Sequence, residues 1–345
     1  MRSKDLDSNR VKVLDPLRGL AALWVAWYHF SGRDPLPLVK WSGKHGYLGV
    51  HVFFVISGFV IPYALSRSDY RLKAYPRFLL KRLLRLEPPY LVSILIVLAV
   101  VFLSYAIRGF QGELTPPVTL TQILLHLGYV NVFFGYEWLL PVYWTLAIEF
   151  QFYLSIGLLY PLISNPSQWV RDLTLLCVAL TFLITPSEAF VFHYVFLFLL
   201  GIVTFQYRTK LIDGKGYLLR VVLLLVCLIA GLGVAVILVG LLTALAIAFV
   251  NTSAGPLKFF GKISYSVYLT HACIGSTILD YTLRRVNGTA GRFSMYAVAL
   301  ATTILSAYLL YRLVELPAQR WSASVSYERK PQRAAVPALI DTESL

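Results

Sequence analysis

The sequence predicts an all-α, polytopic membrane protein of about ten transmembrane helices with both termini in the cytoplasm, and three observations carry that expectation. Of its 345 residues, 58% are hydrophobic and only 14% are charged, whereas a soluble domain keeps roughly 25% charged residues for its water-facing shell. The apolar residues gather in runs of bilayer-crossing length, about 17 to 25 residues. The basic residues lie in short patches between those runs and fall unevenly on the two sides they define. Soluble multidomain, disordered, coiled-coil and collagen-like chains are excluded by the same composition.

In order, the runs fall near residues 13–30, 47–65, 88–107, 142–163, 171–186, 190–206, 217–232, 234–250, 261–280 and 293–314. The first is expected to open with Asp15 as N-cap and Pro16 in the first helical position, where a missing N–H costs nothing. No small-residue cleavage site follows it, so it is expected to stay as a helix. The second holds Ser57-Gly58, a small pair that permits close helix packing. Before the third stands Glu87-Pro88-Pro89. A residue preceding proline avoids the helical region, so the basic segment 77–85 is expected to be a separate short helix ending where the span begins. The longest outside loop, 108–141, contains Pro116-Pro117 and a semi-apolar stretch, 119–134, that suits a short interfacial or re-entrant helix.

Residues 217–250 form one unbroken apolar stretch. A single helix there would rise about 51 Å against a hydrocarbon core of about 30 Å, so the stretch is expected to divide at Gly231-Leu232-Gly233. With ten spans and a cytoplasmic N-terminus, twenty-four of the 31 Lys and Arg residues lie inside. Only Arg33, Lys40, Lys44, Arg108, Arg284, Arg285 and Arg292 lie outside, as the positive-inside rule requires. The resulting organisation is a cytoplasmic N-terminal segment (1–12), a transmembrane domain (13–320) and a tail (321–345) whose Ser, Arg, Ala and Pro content predicts disorder.

The net charge of +14 would suggest nucleic acid for a soluble protein. Here it reports orientation and contact with anionic membrane lipids, and no nucleic-acid partner is expected. Cys177, Cys227 and Cys273 sit inside apolar runs without metal spacing, and His45, His126 and His193 show no ligand spacing relative to one another, so no metal site is expected. Walker, dinucleotide and GxSxG signatures are absent from the sequence.

Chemistry concentrates in a few residues. Arg18 and His29 are eleven apart on the first helix, which returns His29 to within about 20° of Arg18 and roughly 16 Å along the axis. A titratable group inside a membrane is a functional candidate by default, and imidazole is the usual general base near neutral pH; a packing histidine satisfied by hydrogen bonds is the alternative. Arg82 and Arg85, at i and i+3, offer two guanidinium forks suited to phosphate or pyrophosphate, such as those of coenzyme A. The alternative is the ordinary basic character of cytoplasmic loops. Glu149, near the start of the fourth run, needs a partner in the membrane: it accepts from His29, pairs with an arginine, or is protonated by desolvation, with a purely structural ion pair as the alternative. Glu315 poses the same question, and the roles of His51 and His271 stay open, with hydrogen-bonded packing the simpler reading of His271.

These segments, in order from about residue 10 to 320, resemble the acyltransferase-3 family of integral membrane acyltransferases. Arg18 through His29 is similar to that family's Arg-x10-His, and Arg82-Leu83-Leu84-Arg85 to its Arg-x-x-Arg. The run Phe53-Phe54-Val55-Ile56-Ser57-Gly58-Phe59 and the segment from Trp144 to Tyr153 are also typical. Thr145 replaces a frequent Ser, His51 stands where an acidic residue is common, and Ala272-Cys273 lacks the Pro often found after the preceding His. The resemblance implies ten helices and transfer of an acyl group, usually acetyl, from cytoplasmic acyl-CoA to an acceptor hydroxyl, with His29 essential. Some members carry a fused SGNH hydrolase-like domain; the expectation here is a membrane domain without one.

The expected function is therefore an O-acyltransferase of the bacterial inner membrane, multi-pass, that moves acetyl from acetyl-CoA to a lipid-linked or surface glycan of lipopolysaccharide or exopolysaccharide type, with a glycan-assembly or acyl-relay protein as a possible partner. Arg82 and Arg85 would hold the CoA phosphates, Arg18 would position the thioester arm, His29 would act as base or transient acyl carrier, and Glu149 would orient or charge-stabilise that imidazole. The rival is a secondary transporter, which would also place titratable residues at mid-membrane; a structural scaffold is the third reading.

Overall fold

The computed structural model describes residues 11–34, 36–108, 118–184, 187–229, 233–252, 255–286 and 288–327. Among them the chain is helical, with no strand. The helices are α1 Leu14–Ser31, α2 Pro37–Gly43, α3 Leu48–Ser66, α4 Tyr75–Arg108, α5 Leu120–His126, α6 Trp144–Ile163, α7 Gln168–Leu180 and α8 Val195–Arg208. They continue with α9 Gly214–Ile229, α10 Val234–Phe249, α11 Gly255–Lys262, α12 Ser264–Thr270, α13 Thr277–Thr282, α14 Thr289–Leu310 and α15 Leu316–Ser324. Two wide π-helical turns join the last pieces: His271–Ser276 links α12 to α13, and Tyr311–Glu315 links α14 to α15.

Among the described residues, five helical stretches, Pro37–Ser66, Leu72–Leu103, Pro141–Ile163, Val191–Arg208 and Thr289–Ser324, are long and apolar enough to cross a membrane. Their outward faces carry exposed apolar side chains, such as Leu95, Phe102 and Leu103 on α4 and Leu305 and Leu309 on α14. Lipid solvates such a face at no cost, where water would not.

The core forms around α3 and α8. A Cβ on Gly58 would stand 2.2 Å from Phe198 O, and one on Gly201 would stand 2.2 Å from Val55 O. Only glycines let these two backbones meet so closely, which is the close packing expected of Ser57-Gly58. Beside the crossing, Phe198 stacks on Phe152 at 4.2 Å and lies 5.0 Å from Phe54, tying α6 into the same core.

Several local expectations need correction. The first helix begins at Leu14 with Val13 as N-cap, so Asp15 lies within the first turn, where its charge suits the helix dipole, and Pro16 follows it. The basic segment and the third run form one helix, Tyr75–Arg108, straight through Pro88 and Pro89. Those prolines withhold the N–H groups that would reach the carbonyls of Leu84 and Arg85. The next carbonyl, Leu86 O, accepts from Tyr265 Oη at 2.9 Å. A neighbouring helix thus adds a side-chain donor one residue past the two carbonyls that the prolines leave open. Helix α15 runs through the expected tail boundary at 320, and residues 328–345 of that tail lie outside the described residues.

The division of 217–250 is clear from its ends. Tyr217 and Phe249 approach to 6.1 Å, both against Tyr207, and Arg208 reaches Ala248 O at 3.3 Å. Helices α9 and α10 therefore fold back on each other as a hairpin; Gly231-Leu232 at its tip lies outside the described residues. In the 119–134 stretch, α5 is a single short helix tied down by His126, whose Nε2 accepts from Leu139 N at 3.0 Å. Glu113 and Pro116-Pro117 lie outside the described residues.

Candidate active site

A cavity of about 80 Å³ opens among α1, α3, α4, α6, α12 and the π turn before α15, and Arg18, Arg82, Arg85, Glu149 and Glu315 all line it. Each reaches it for a local reason. Arg82 and Arg85 project together because i and i+3 share a helix face. Arg18 sits one turn into α1, and Glu149 just over one turn into α6. Glu315 is the last residue of the π turn Tyr311–Glu315, where the extra residue per turn rotates its side chain relative to a regular helix.

The cavity's charges are partly matched. Glu149 Oε1 accepts from Ser57 Oγ at 2.8 Å and from Tyr153 Oη. Glu315 Oε2 accepts from Ser266 Oγ at 2.6 Å, and its Oε1 from Gln319 Nε2 at 2.9 Å. Arg18 feels both carboxylates and is repelled by Arg85. Arg82 lies 5.3 Å from the Phe78 ring centroid and 5.8 Å from that of Tyr153, a cation–π seat. Yet the Nε atoms of Arg18 and Arg82 are buried without a partner. A buried donor of that kind calls for an explanation.

The open end of Arg82 is covered by the segment after α15. Tyr327 O accepts from Arg77 at 2.7 Å, Val325 O from Lys81 Nζ at 2.7 Å, and Ser322 Oγ donates to Lys81 O at 2.8 Å. The Tyr327 ring packs 5.5 Å from Tyr70 and under Lys81. Burial raises the Tyr327 phenol above its ordinary value while Arg82 opposes the shift, so the hydroxyl stays protonated at neutral pH.

His29 is not among the cavity's lining residues. It stands one layer away: Tyr268 lines the cavity, His271 lies 5.6 Å from Tyr268, and His29 lies 5.2 Å from His271. Tyr268 is fixed by hydrogen bonds to Thr145 Oγ1 at 2.7 Å and Val142 O at 3.0 Å. The structure thus joins Arg18, Arg82, Arg85 and Glu149, while His29's ring neighbours are Tyr28 and His271 and not Glu149. Ser57 and Tyr153 both donate to Oε1 of Glu149, and no hydrogen bond joins that carboxylate to the His29 ring. Sequence reasoning missed Tyr153, Tyr265 and Tyr268 as cavity walls; Tyr265 and Tyr268, one helical neighbour apart at i and i+3, were the available signal. His51 is buried beside Tyr47 and Tyr194, away from the cavity lining. Among the described residues no group of three or more His, Cys, Asp or Glu side chains is placed to hold a metal.

A helical membrane bundle with a cationic cavity beside a histidine defines the class, and comparison with known proteins supplies the family. Residues 11–312 match the acyltransferase-3 family, described as an acyltransferase domain, and the chain belongs to that family. A Staphylococcus aureus protein whose name provisionally assigns O-acetyltransferase activity is 27% identical over 88% of this chain and 56% of its own length. The peptidoglycan O-acetyltransferase of Listeria monocytogenes is 31% identical over 42% of this chain and 23% of its own length. A protein of the picA locus of Rhizobium radiobacter is 35% identical over 28% of this chain and 49% of its own. The chain spans about half the length of the first of these relatives. No solved structure matches it.

Proposed function

We propose that the protein is a multi-pass O-acetyltransferase of the bacterial inner membrane, which takes acetyl from cytoplasmic acetyl-CoA and delivers it to a hydroxyl of a lipid-linked or surface glycan of lipopolysaccharide or exopolysaccharide type. The observation that carries this reading is the convergence of Arg18, Arg82 and Arg85 on one cavity, two of them with unpaired Nε donors, a layer away from His29. The named activity of the Staphylococcus and Listeria relatives supports O-acetylation.

In this reading Arg82 and Arg85, at the mouth covered by the Tyr327 segment, hold the phosphates of the donor. The cavity receives the acyl end of the donor, and Arg18 the thioester. His29 takes the proton of the acceptor hydroxyl, the oxygen attacks the thioester carbonyl, the C–S bond breaks, and the thiolate leaves with the proton. If His29 instead carries the acyl group, its nitrogen attacks first and the hydroxyl second. Tyr268 stands between the cavity and His29, so the arm must pass it in either route. Ten spans with both termini in the cytoplasm fit the α9–α10 hairpin and the packing of α11 on the start of α1.

The test is reconstitution in proteoliposomes with labelled acetyl-CoA and a glycan acceptor. Transfer requires stoichiometric CoA release, lost in His29→Ala; passage of a substrate across the bilayer with no CoA release establishes the transporter reading instead. Quenching after donor alone leaves label on wild-type protein, absent from His29→Ala, only if an acyl-His forms.

A further inference from the structure

We propose that His271 positions His29 for the transfer, its Nε2 accepting from a ring N–H of His29 and so leaving the opposite nitrogen of His29 free to take the acceptor's proton. The proposal rests on the reading of His29 as the base.

The tautomer of His271 follows from its surroundings. Its side chain is fully buried, and Nδ1 lies 3.1 Å from Val267 O. A carbonyl oxygen only accepts, so Nδ1 carries the hydrogen, and the lone pair of the neutral ring falls on Nε2. That atom is buried without a partner. An acceptor left unpaired in a protein interior is unfavourable and calls for a role. Its ring neighbours are Tyr268, with centroids 5.6 Å apart, and His29, at 5.2 Å, and of the two only the imidazole carries a ring N–H. A ring nitrogen lies roughly 1.1 Å from its centroid, so a rotation that turns the two nitrogens toward each other would bring them to about 3 Å, within hydrogen-bond reach.

The spacing is held from both sides of the wide turn. His271 is the first residue of the π segment His271–Ser276, a form that concentrates at functional sites. Four residues on, Gly275 lies so close to α1 that a Cβ there would stand 2.3 Å from both Phe30 Cζ and Thr303 Oγ1. Beyond it, Asp280 on α13 pairs with Arg33 Nε at 2.7 Å, and Arg33 also donates to His29 O. The residues after His29 on α1 are therefore clamped to the segment that carries His271. A base oriented by a third group through its far nitrogen is the general logic of activated triads; here an imidazole acceptor fills the place a carboxylate holds elsewhere.

The experiment uses the full chain in proteoliposomes, with kcat and KM for acetyl-CoA measured in His29→Ala, His271→Asn and His271→Gln, and thermal melting as the folding control. His271→Asn keeps a donor near Nδ1 for Val267 but places nothing near Nε2. His271→Gln places an amide oxygen close to the Nε2 position. The expected result is a kcat lower by roughly 10- to 100-fold in His271→Asn with KM unchanged, and recovery of most of that loss in His271→Gln. Unchanged kcat in a folded His271→Asn overturns the proposal, as does a His271→Gln variant no better than His271→Asn. A fully active His29→Ala overturns the base assignment itself, whereas an inactive His29→Ala beside a fully active His271→Asn overturns only the role of His271.

Discussion

Arg82 is nearly buried, seated between two aromatic rings with its Nε unpaired, and that combination makes sharp predictions. Arg82→Ala should weaken acetyl-CoA binding in detergent by at least about tenfold, the worth of one charge-assisted hydrogen bond, with little change in acceptor affinity. Arg82→Lys should restore charge but not the planar fork or the stacking, and so rescue only in part. Binding measured by titration calorimetry checks both; unchanged affinity returns the pair to ordinary loop charge. Glu149→Gln should cost about 1–3 kcal/mol of stability by replacing an acceptor of two hydroxyl donors with a mixed amide, read as a lowered melting temperature. Since the ring neighbours of His29 are Tyr28 and His271, turnover at saturating donor should survive in this variant while His29→Ala abolishes it. The arginine pair was legible because its spacing lies within one helix. The partners of Glu149 were not, because Ser57 comes from 92 residues away and no local pattern encodes that crossing.

At the scale of elements, what sequence rules mispredicted was proline. Pro88 and Pro89 should end a helix in water, where a freed carbonyl competes for solvent; inside the bundle, away from water, α4 continues through both. The two π turns were equally invisible, since neither His271 nor Glu315 carries a local mark of an extra residue in the turn, yet both turns put a titratable side chain where a regular helix would not. Glycine was the reverse case: Ser57-Gly58 announced a close crossing, and α3 meets α8 there. Gly58→Val should therefore force α3 and α8 apart against backbone atoms that cannot yield, costing several kcal/mol by overpacking. The check is loss of the folded, monodisperse species in detergent chromatography, alongside Gly135→Ala at a loop position where a Cβ meets nothing within 4 Å, whose strain is confined to its positive φ and should leave the species intact.

At the scale of the whole molecule, composition alone placed the chain in lipid, but sidedness depends on how the stretch 217–250 crosses. The described contacts constrain it strongly. Helix α11 packs against the first turn of α1, where a Cβ on Gly261 would stand 2.0 Å from Asp15 O and one on Gly19 would stand 2.6 Å from Leu257 O. Lys258 and Asp15 thus occupy the same end of the bundle. At that end too, α15 lies along the basic start of α4 through the Ser322–Lys81 bond. If Asp15 faces the cytoplasm, as the positive-inside count requires, then an even number of crossings separates it from Lys258, which the α9–α10 hairpin supplies and a single long helix does not. Cysteines placed singly at Lys44 and Lys258, both exposed, test this in a background lacking Cys177, Cys227 and Cys273. The cysteine at position 44 should react with a membrane-impermeant maleimide in intact spheroplasts, and the one at 258 only after permeabilisation. Labelling of position 258 in intact spheroplasts would mean that 217–250 crosses once, and would move Arg312 and everything after it to the opposite side from Arg82, which the shared cavity of Arg82 and Glu315 makes physically untenable.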